Sequence, residues 1–138
     1  MTTPLSSDTI QTLLNTESLG RKTVLLDSTG STNDYAKEEV TEHGTIVIAE
    51  EQTGGRGRLG RVWHAPRGKG LLMSAVLVPD AAVESVQLIT LASGLAVIRA
   101  LEKIIEYQKL HLKYPNDVFL NGKKVCGVLV ESQIRGDR

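Results

Sequence analysis

Cysteine is nearly absent from this 138-residue chain, where Cys126 stands alone. A single thiol cannot build an internal disulfide framework or a multi-cysteine zinc site. It suits a reducing compartment, and its ordinary role is that of a small buried apolar residue. Net charge is missing as well: lysine and arginine together number 16, as do aspartate and glutamate. No whole-molecule field therefore draws the protein to nucleic acid or to an anionic membrane, and electrostatic recognition must be local. Aromatic residues make up 4% of the chain. Only Trp63 and distant tyrosines could stack on bases, which argues against an RNA-binding module. No window approaches the roughly 20 apolar residues of a membrane span, and the N-terminus has no basic stretch leading into an apolar run. The expectation is a cytoplasmic protein without a membrane partner, of a length that suits one domain with its own core.

The periodicities that are present predict alternating short strands and helices. A weak helical pattern runs from about Asp8 to Leu19 and ends at Gly20. Thr23–Leu26 and the β-branched Thr45–Ala49 read as strands, and Ser31 with Asp34 resembles a capping box opening a helix to about Glu42. Leu71–Val78 reads as a buried strand. From Glu84 to Tyr107, apolar residues at Leu88, Leu91, Leu95, Ile98, Leu101 and Ile105 recur at spacings of three and four, which predicts a long amphipathic helix. Gly94 and its small neighbours would let that helix lie close to a sheet. Leu110–Tyr114, Asp117–Leu120 and Val125–Glu131 read as strands, the last two joined by the hairpin dipeptide Asn121-Gly122. The pattern predicts an α+β fold with a mixed, mostly antiparallel sheet backed by helices.

Between Gly54 and Gly70 glycines interrupt every periodicity. The segment carries Arg56, Arg58, Arg61, Arg67 and Lys69 and no acid, inside a chain of zero net charge. Glycines let backbone bend around a ligand and present N–H groups, while arginine forks grip phosphate or carboxylate in bidentate fashion. The segment reads as a local anion trap that orders on binding. It is not a phosphate loop of the Gly-Lys-Ser/Thr kind. Three polar elements accompany it: Ser31-Thr32-Asn33 at a strand-to-helix junction followed by Gln52, then Lys113-Tyr-Pro-Asn-Asp117, then Lys124-Val-Cys-Gly127. Each has an ordinary explanation as a helix cap, a turn or hairpin charges. Their order and company carry the reading.

Together, from about Thr23 to Glu131, these segments resemble the biotin protein ligases. The arginine–glycine signature GRGRLGR stands complete, and the Ser-Thr-Asn, Pro-Asn-Asp and Lys-x-x-Gly elements follow the family's order. Tyr114 replaces a residue that is usually tryptophan. The resemblance implies a biotin/lipoate ligase fold, similar to the class II aminoacyl-tRNA synthetases. It implies residues 1–22 as an N-terminal remnant or linker helix and 23–138 as the front part of a catalytic domain, without a winged helix or a C-terminal barrel. A monofunctional enzyme that does not bind DNA would follow. The unpartnered outer edge of the last strand leads us to expect self-association as well, for example as a homodimer.

The implied activity is that of a carbon–nitrogen ligase: biotin and ATP, with Mg²⁺, give biotinyl-AMP, and biotin then passes to a lysine of a biotin carboxyl carrier protein such as an acetyl-CoA carboxylase subunit. The resemblance places Ser31, Thr32, Asn33, Gln52, Gly55, Arg56, Gly57, Arg58, Lys124 and Gly127 around biotin. It places Arg56, Arg58, Arg61, Trp63, Lys113, Asn116 and Asp117 around ATP. Arg58, Lys124 and Asp117 are the implied catalytic residues, with Asp117 either holding Mg²⁺ or guiding deprotonation of the incoming lysine. A lipoate-type ligase of the same fold and a ligand-binding fragment without turnover are the alternatives.

Overall fold

A computed structural model of the chain describes residues 5–79, 85–106 and 109–134. The chain divides into two compact units, Met1–Arg56 with Arg61–Asp80, and Gly57–Gly60 with Ala81–Arg138.

The first unit is built on a three-stranded sheet, β1 (Thr23–Leu26), β2 (Ile46–Ala49) and β3 (Leu72–Ala75), in that order. β1 and β2 run parallel, so the chain must cross over between them, and α2 (Thr32–Glu39) makes the crossing. β3 then returns antiparallel to β2. The apolar side chains of Ala36 on α2 and of Val40 just past its end meet Val47, which is fully buried, with Val24, Leu26, Tyr35 and Val76 packed around them. A short helix, α1 (Ser7–Leu13), lies against β1. It ends well before Gly20, because Leu14 already leaves the helical region for extended backbone. Gly20 instead occupies a turn at φ +79° and donates its N–H to Gly44 O.

α2 also stops earlier than its sequence suggests, at Glu39 rather than near Glu42. Its N-cap is Ser31, whose hydroxyl accepts from Asn33 N–H at 3.2 Å. Asp34 does not close a capping box: it is drawn instead to Arg56 and Lys37.

The second unit pairs a helix with an antiparallel sheet. α3 (Val86–Glu102) packs on β4 (Leu110–Lys113) and β5 (Asp117–Leu120), and β6 (Lys123–Gly127) completes the order β4–β5–β6. The expected outer limits of α3, Glu84 and Tyr107, fall outside the described residues. Gly94 does allow close approach. A Cβ there would lie 2.5 Å from Leu112 Cδ1, so a larger residue would force the leucine aside. Asn121 and Gly122 turn the hairpin at φ 50° and 79°, the left-handed pair that suits a two-residue loop. The last strand begins at Lys123 and ends at Gly127, two residues earlier and four residues earlier than its hydrophobic run implies. A bulge opposite Val118 and Phe119 shifts its register.

The α+β expectation holds, with antiparallel pairing dominant. The strands form two three-stranded sheets among the described residues, not one continuous sheet.

Candidate functional site

In the first unit, polar groups converge where β1 leads into α2. Thr32 is 4% exposed, and both its backbone N–H and its Oγ lie on Gln52 Oε1, at 2.8 and 2.9 Å. Its Oγ also stands 2.7 Å from Ser74 Oγ, which in turn donates to Asn33 Oδ1 at 2.5 Å. Ser31, Thr32, Asn33 and Gln52, all expected from the sequence, thus meet in one place. Ser74 was missed. The signal was available, as a lone hydroxyl inside the apolar run Leu71–Val78 at a position that is 8% exposed. A buried hydroxyl in a strand requires partners.

The arginine–glycine segment has a stem. Arg56 and Val62 form an isolated bridge, and Trp63 N–H donates to Gly55 O at 2.9 Å. Gly55 is buried in this stem, and a Cβ on it would stand 2.6 Å from Trp63 O, so only glycine fits. The stem folds without a ligand because its cations find acids elsewhere in the chain. Arg56 grips both carboxylate oxygens of Asp34, with its Nη2 2.7 Å from Oδ1, and Lys37 adds a contact of 3.1 Å. The Arg56 guanidinium holds the Asp34 carboxyl well below the usual carboxylate range, against a smaller opposing effect of burial. Arg67 pairs with Asp27 and lies 3.5 Å from Glu51, and the Asp27 carboxylate raises the guanidinium's already high pKa. The anion trap read from the sequence is therefore partly neutralised: Arg56 and Arg67 are spoken for. Arg61 and Lys69 are exposed.

In the second unit, strand alternation divides the sheet. Leu112 meets α3, while His111 and Lys113 alternate to the other face of β4. There His111 stacks on Phe119 at 5.5 Å, and Lys113 Nζ sits 5.4 Å from the same ring. Lys124 Nζ lies 2.8 Å from Asp117 Oδ1, an ion pair by distance although not aligned as a hydrogen bond. Gly127 stands opposite Asp117 in the register. Lys123 is exposed and paired across the turn with Leu120. Asn116 is fixed from two sides, donating its Nδ2–H to Val128 O at 3.0 Å while its backbone O accepts from Val128 N–H. Its remaining side-chain oxygen receives Arg58 at 3.3 Å. Arg58 opens a short 3₁₀ turn (Arg58–Gly60) beside a cleft of about 430 Å³ that Tyr114, Pro115 and Thr90 help to line.

Asp117 is the only carboxylate of the expected set, and Lys124 already faces it. No group of three or more histidine, cysteine, aspartate or glutamate side chains that could hold a metal ion occurs among the described residues. Cys126 is half-buried, and burial pushes its thiol pKa up, as for an inert core residue. No described helix is long and apolar enough to cross a membrane.

Comparison with known proteins gives one consistent result. The chain is 39% identical over 137 residues to the bifunctional ligase/repressor BirA of Bacillus subtilis, covering 97% of this chain and 42% of that protein. It is 38% identical over 118 residues to the biotin–[acetyl-CoA-carboxylase] ligase of Mycobacterium tuberculosis, covering 80% of this chain and 44% of that one. Among solved structures, the biotin protein ligase of Aquifex aeolicus in complex with biotin and ATP superposes with a TM-score of 0.71 at 42% identity, over 81% of this chain and 47% of that one. The Leishmania major enzyme with biotinyl-5-AMP gives 0.70 at 30% identity, over 82% and 53%. The chain thus spans about half the length of the relatives it matches. The biotin/lipoate A/B protein ligase family matches over residues 25–138, and with these relatives and this fold the chain belongs to that family.

Proposed function

We propose that this chain is the front part of a catalytic domain that joins biotin to ATP as biotinyl-AMP and passes the biotin to a lysine of a carrier protein, a biotin carboxyl carrier protein being the partner of matching chemistry. The observation that carries this reading is the cluster of Gln52 and Asn33, both half-buried, around the buried hydroxyls of Thr32 and Ser74, a polar pocket end of the kind a ring bearing N–H and C=O groups requires. The names of the relatives support it, as do the neighbours holding biotin with ATP and biotinyl-5-AMP.

In the first step a biotin carboxylate oxygen attacks the α-phosphorus of ATP, and the bond to the bridging oxygen breaks to release pyrophosphate. Two anions must approach, so cations must shield them. Arg56, Arg58, Lys113 and Lys124 are the groups in this chain suited to that work, with Arg61 and Trp63 on the nucleotide side. Gly57 and Gly127 leave backbone without side chains beside them. In the second step the carrier lysine's nitrogen attacks the acyl carbon, AMP leaves, and the amine loses a proton. We read Asp117 as orienting Lys124, the ion pair at 2.8 Å, rather than as a Mg²⁺ ligand. Mg²⁺ then enters with ATP.

The test is biotin-dependent exchange of labelled pyrophosphate into ATP, together with calorimetric titration of biotin and lipoate. Biotin binding with exchange is expected. Lipoate binding in place of biotin would move the chain to the other branch of its family, and biotin binding without exchange would make it a binding fragment.

A further inference from the structure

Arg56 is one of the cations suited to shielding the two reacting anions, yet its guanidinium lies on an acid of this chain. A long arginine side chain is not aimed by its backbone alone, because its rotamer freedom is large. The stem fixes the backbone, through the Arg56–Val62 bridge and the Trp63 N–H donated to Gly55 O at 2.9 Å. Asp34 fixes the guanidinium, with Nη1 donating to Oδ2 and Nη2 to Oδ1 at 2.7 Å. Two such contacts set the plane of the fork as well as its place. Asp34 also stands in the first turn of α2, the turn from which Thr32 meets Gln52 and Asn33 meets Ser74. One helical turn thus holds both the polar cluster and the guanidinium.

An acid beside a site for anions weakens their attraction, and Lys37 offsets this. Its Nζ lies 3.1 Å from Asp34 Oδ1. Asp34 brings one negative charge, and Arg56 and Lys37 bring one positive charge each, so the three together stay cationic. We propose that Asp34 is a positioning residue for the ligation reaction: it aims Arg56 at the anionic part of the ligand, the biotin carboxylate and the acyl phosphate formed from it. This rests on the biotin reading above. Asp34 acts through Arg56, not by touching the ligand.

The test is calorimetry with the 138-residue chain, using a non-hydrolysable biotinyl adenylate and the methyl ester of biotin, which presents the ring without an anion. Asp34→Asn removes a negative charge, so charge alone would tighten the adenylate. Loss of aim has the opposite sign, and the variant is expected to bind the adenylate about tenfold more weakly, the scale of a lost charge-assisted contact. The ester should bind parent and variant within twofold, which shows that the ring end is intact. In an Arg56→Met background the same change should alter adenylate affinity less than twofold, and Asp34→Glu, which keeps the carboxylate, should recover most of the loss. Unchanged or tighter adenylate binding by Asp34→Asn would overturn the proposal. So would an equal loss for the ester, an equal loss in the Arg56→Met background, or no recovery with glutamate, since those mark a merely structural acid. A parent chain that binds neither ligand would overturn the functional reading and this inference with it, whereas a parent that binds both beside an unaffected Asp34→Asn removes this inference alone.

Discussion

Removing the charge of Asp34 should loosen the base of the arginine–glycine segment by a small and pH-dependent amount. At 2.7 Å the Arg56–Asp34 contact is worth about 1.5 kcal/mol in the dielectric of water. Both side chains are more than a third exposed, at 37% and 38%. Screening and the entropy of fixing two side chains remove about half of that, leaving about 0.5–1 kcal/mol for Asp34→Asn at pH 7. The pairing lowers the folded-state pKa of the carboxyl. The stabilisation is therefore present above the ordinary value of 3.8 and is lost as pH falls through and below it. Urea unfolding followed by the fluorescence of Trp63, the single tryptophan, reports from the stem itself. Parent and variant should differ by about 0.5–1 kcal/mol at pH 7 and 5, and the gap should narrow towards pH 3. A difference under about 0.2 kcal/mol at neutral pH, or one that persists unchanged in acid, would refute the ion pair as the stem's tether.

Gly55→Ala should disrupt the same stem more severely, by about 1–3 kcal/mol, because the new methyl meets the Trp63 carbonyl at 2.6 Å; comparable stability and tryptophan emission in the variant would contradict this. Lys124→Ala should remove most biotin-dependent pyrophosphate exchange while the far-ultraviolet circular dichroism is kept, and Lys123→Ala, exposed at the hairpin, should be nearly silent; the reverse pattern would place the active lysine one residue earlier. Arg58→Ala should weaken binding of a non-hydrolysable biotinyl adenylate by about one to two decades, the range of a lost charge-assisted contact, and that of biotin itself much less; calorimetry showing equal losses would count against it. Hydrogen exchange should find the Trp63 amide protected in the free chain, since it donates to Gly55 O, with residues 57–61 gaining protection only when biotin and ATP are added.

Local pattern determined a good deal by itself. Thr23–Leu26 and Asp117–Leu120 are strands to the residue, because β-branched and apolar runs bounded by turns have little alternative. Asn121-Gly122 forms the hairpin its dipeptide demands, and the spacing of apolar residues located α3 and the role of Gly94. The polar motifs, read in order, were enough to indicate the family. Tertiary structure decided the rest. Whether Asp34 caps a helix or holds Arg56 depends on a partner 22 residues away, and Arg67 finds Asp27 across 40. Sequence shows charges but not their partners, so a segment rich in arginine looked uniformly cationic until folding brought acids to two of its five cations. Ser74 gained its meaning in the same way. Its partners Thr32 and Asn33 lie 42 and 41 residues before it, and only the pairing of β3 beside β2, with α2 packed on both, brings their oxygens within hydrogen-bonding reach.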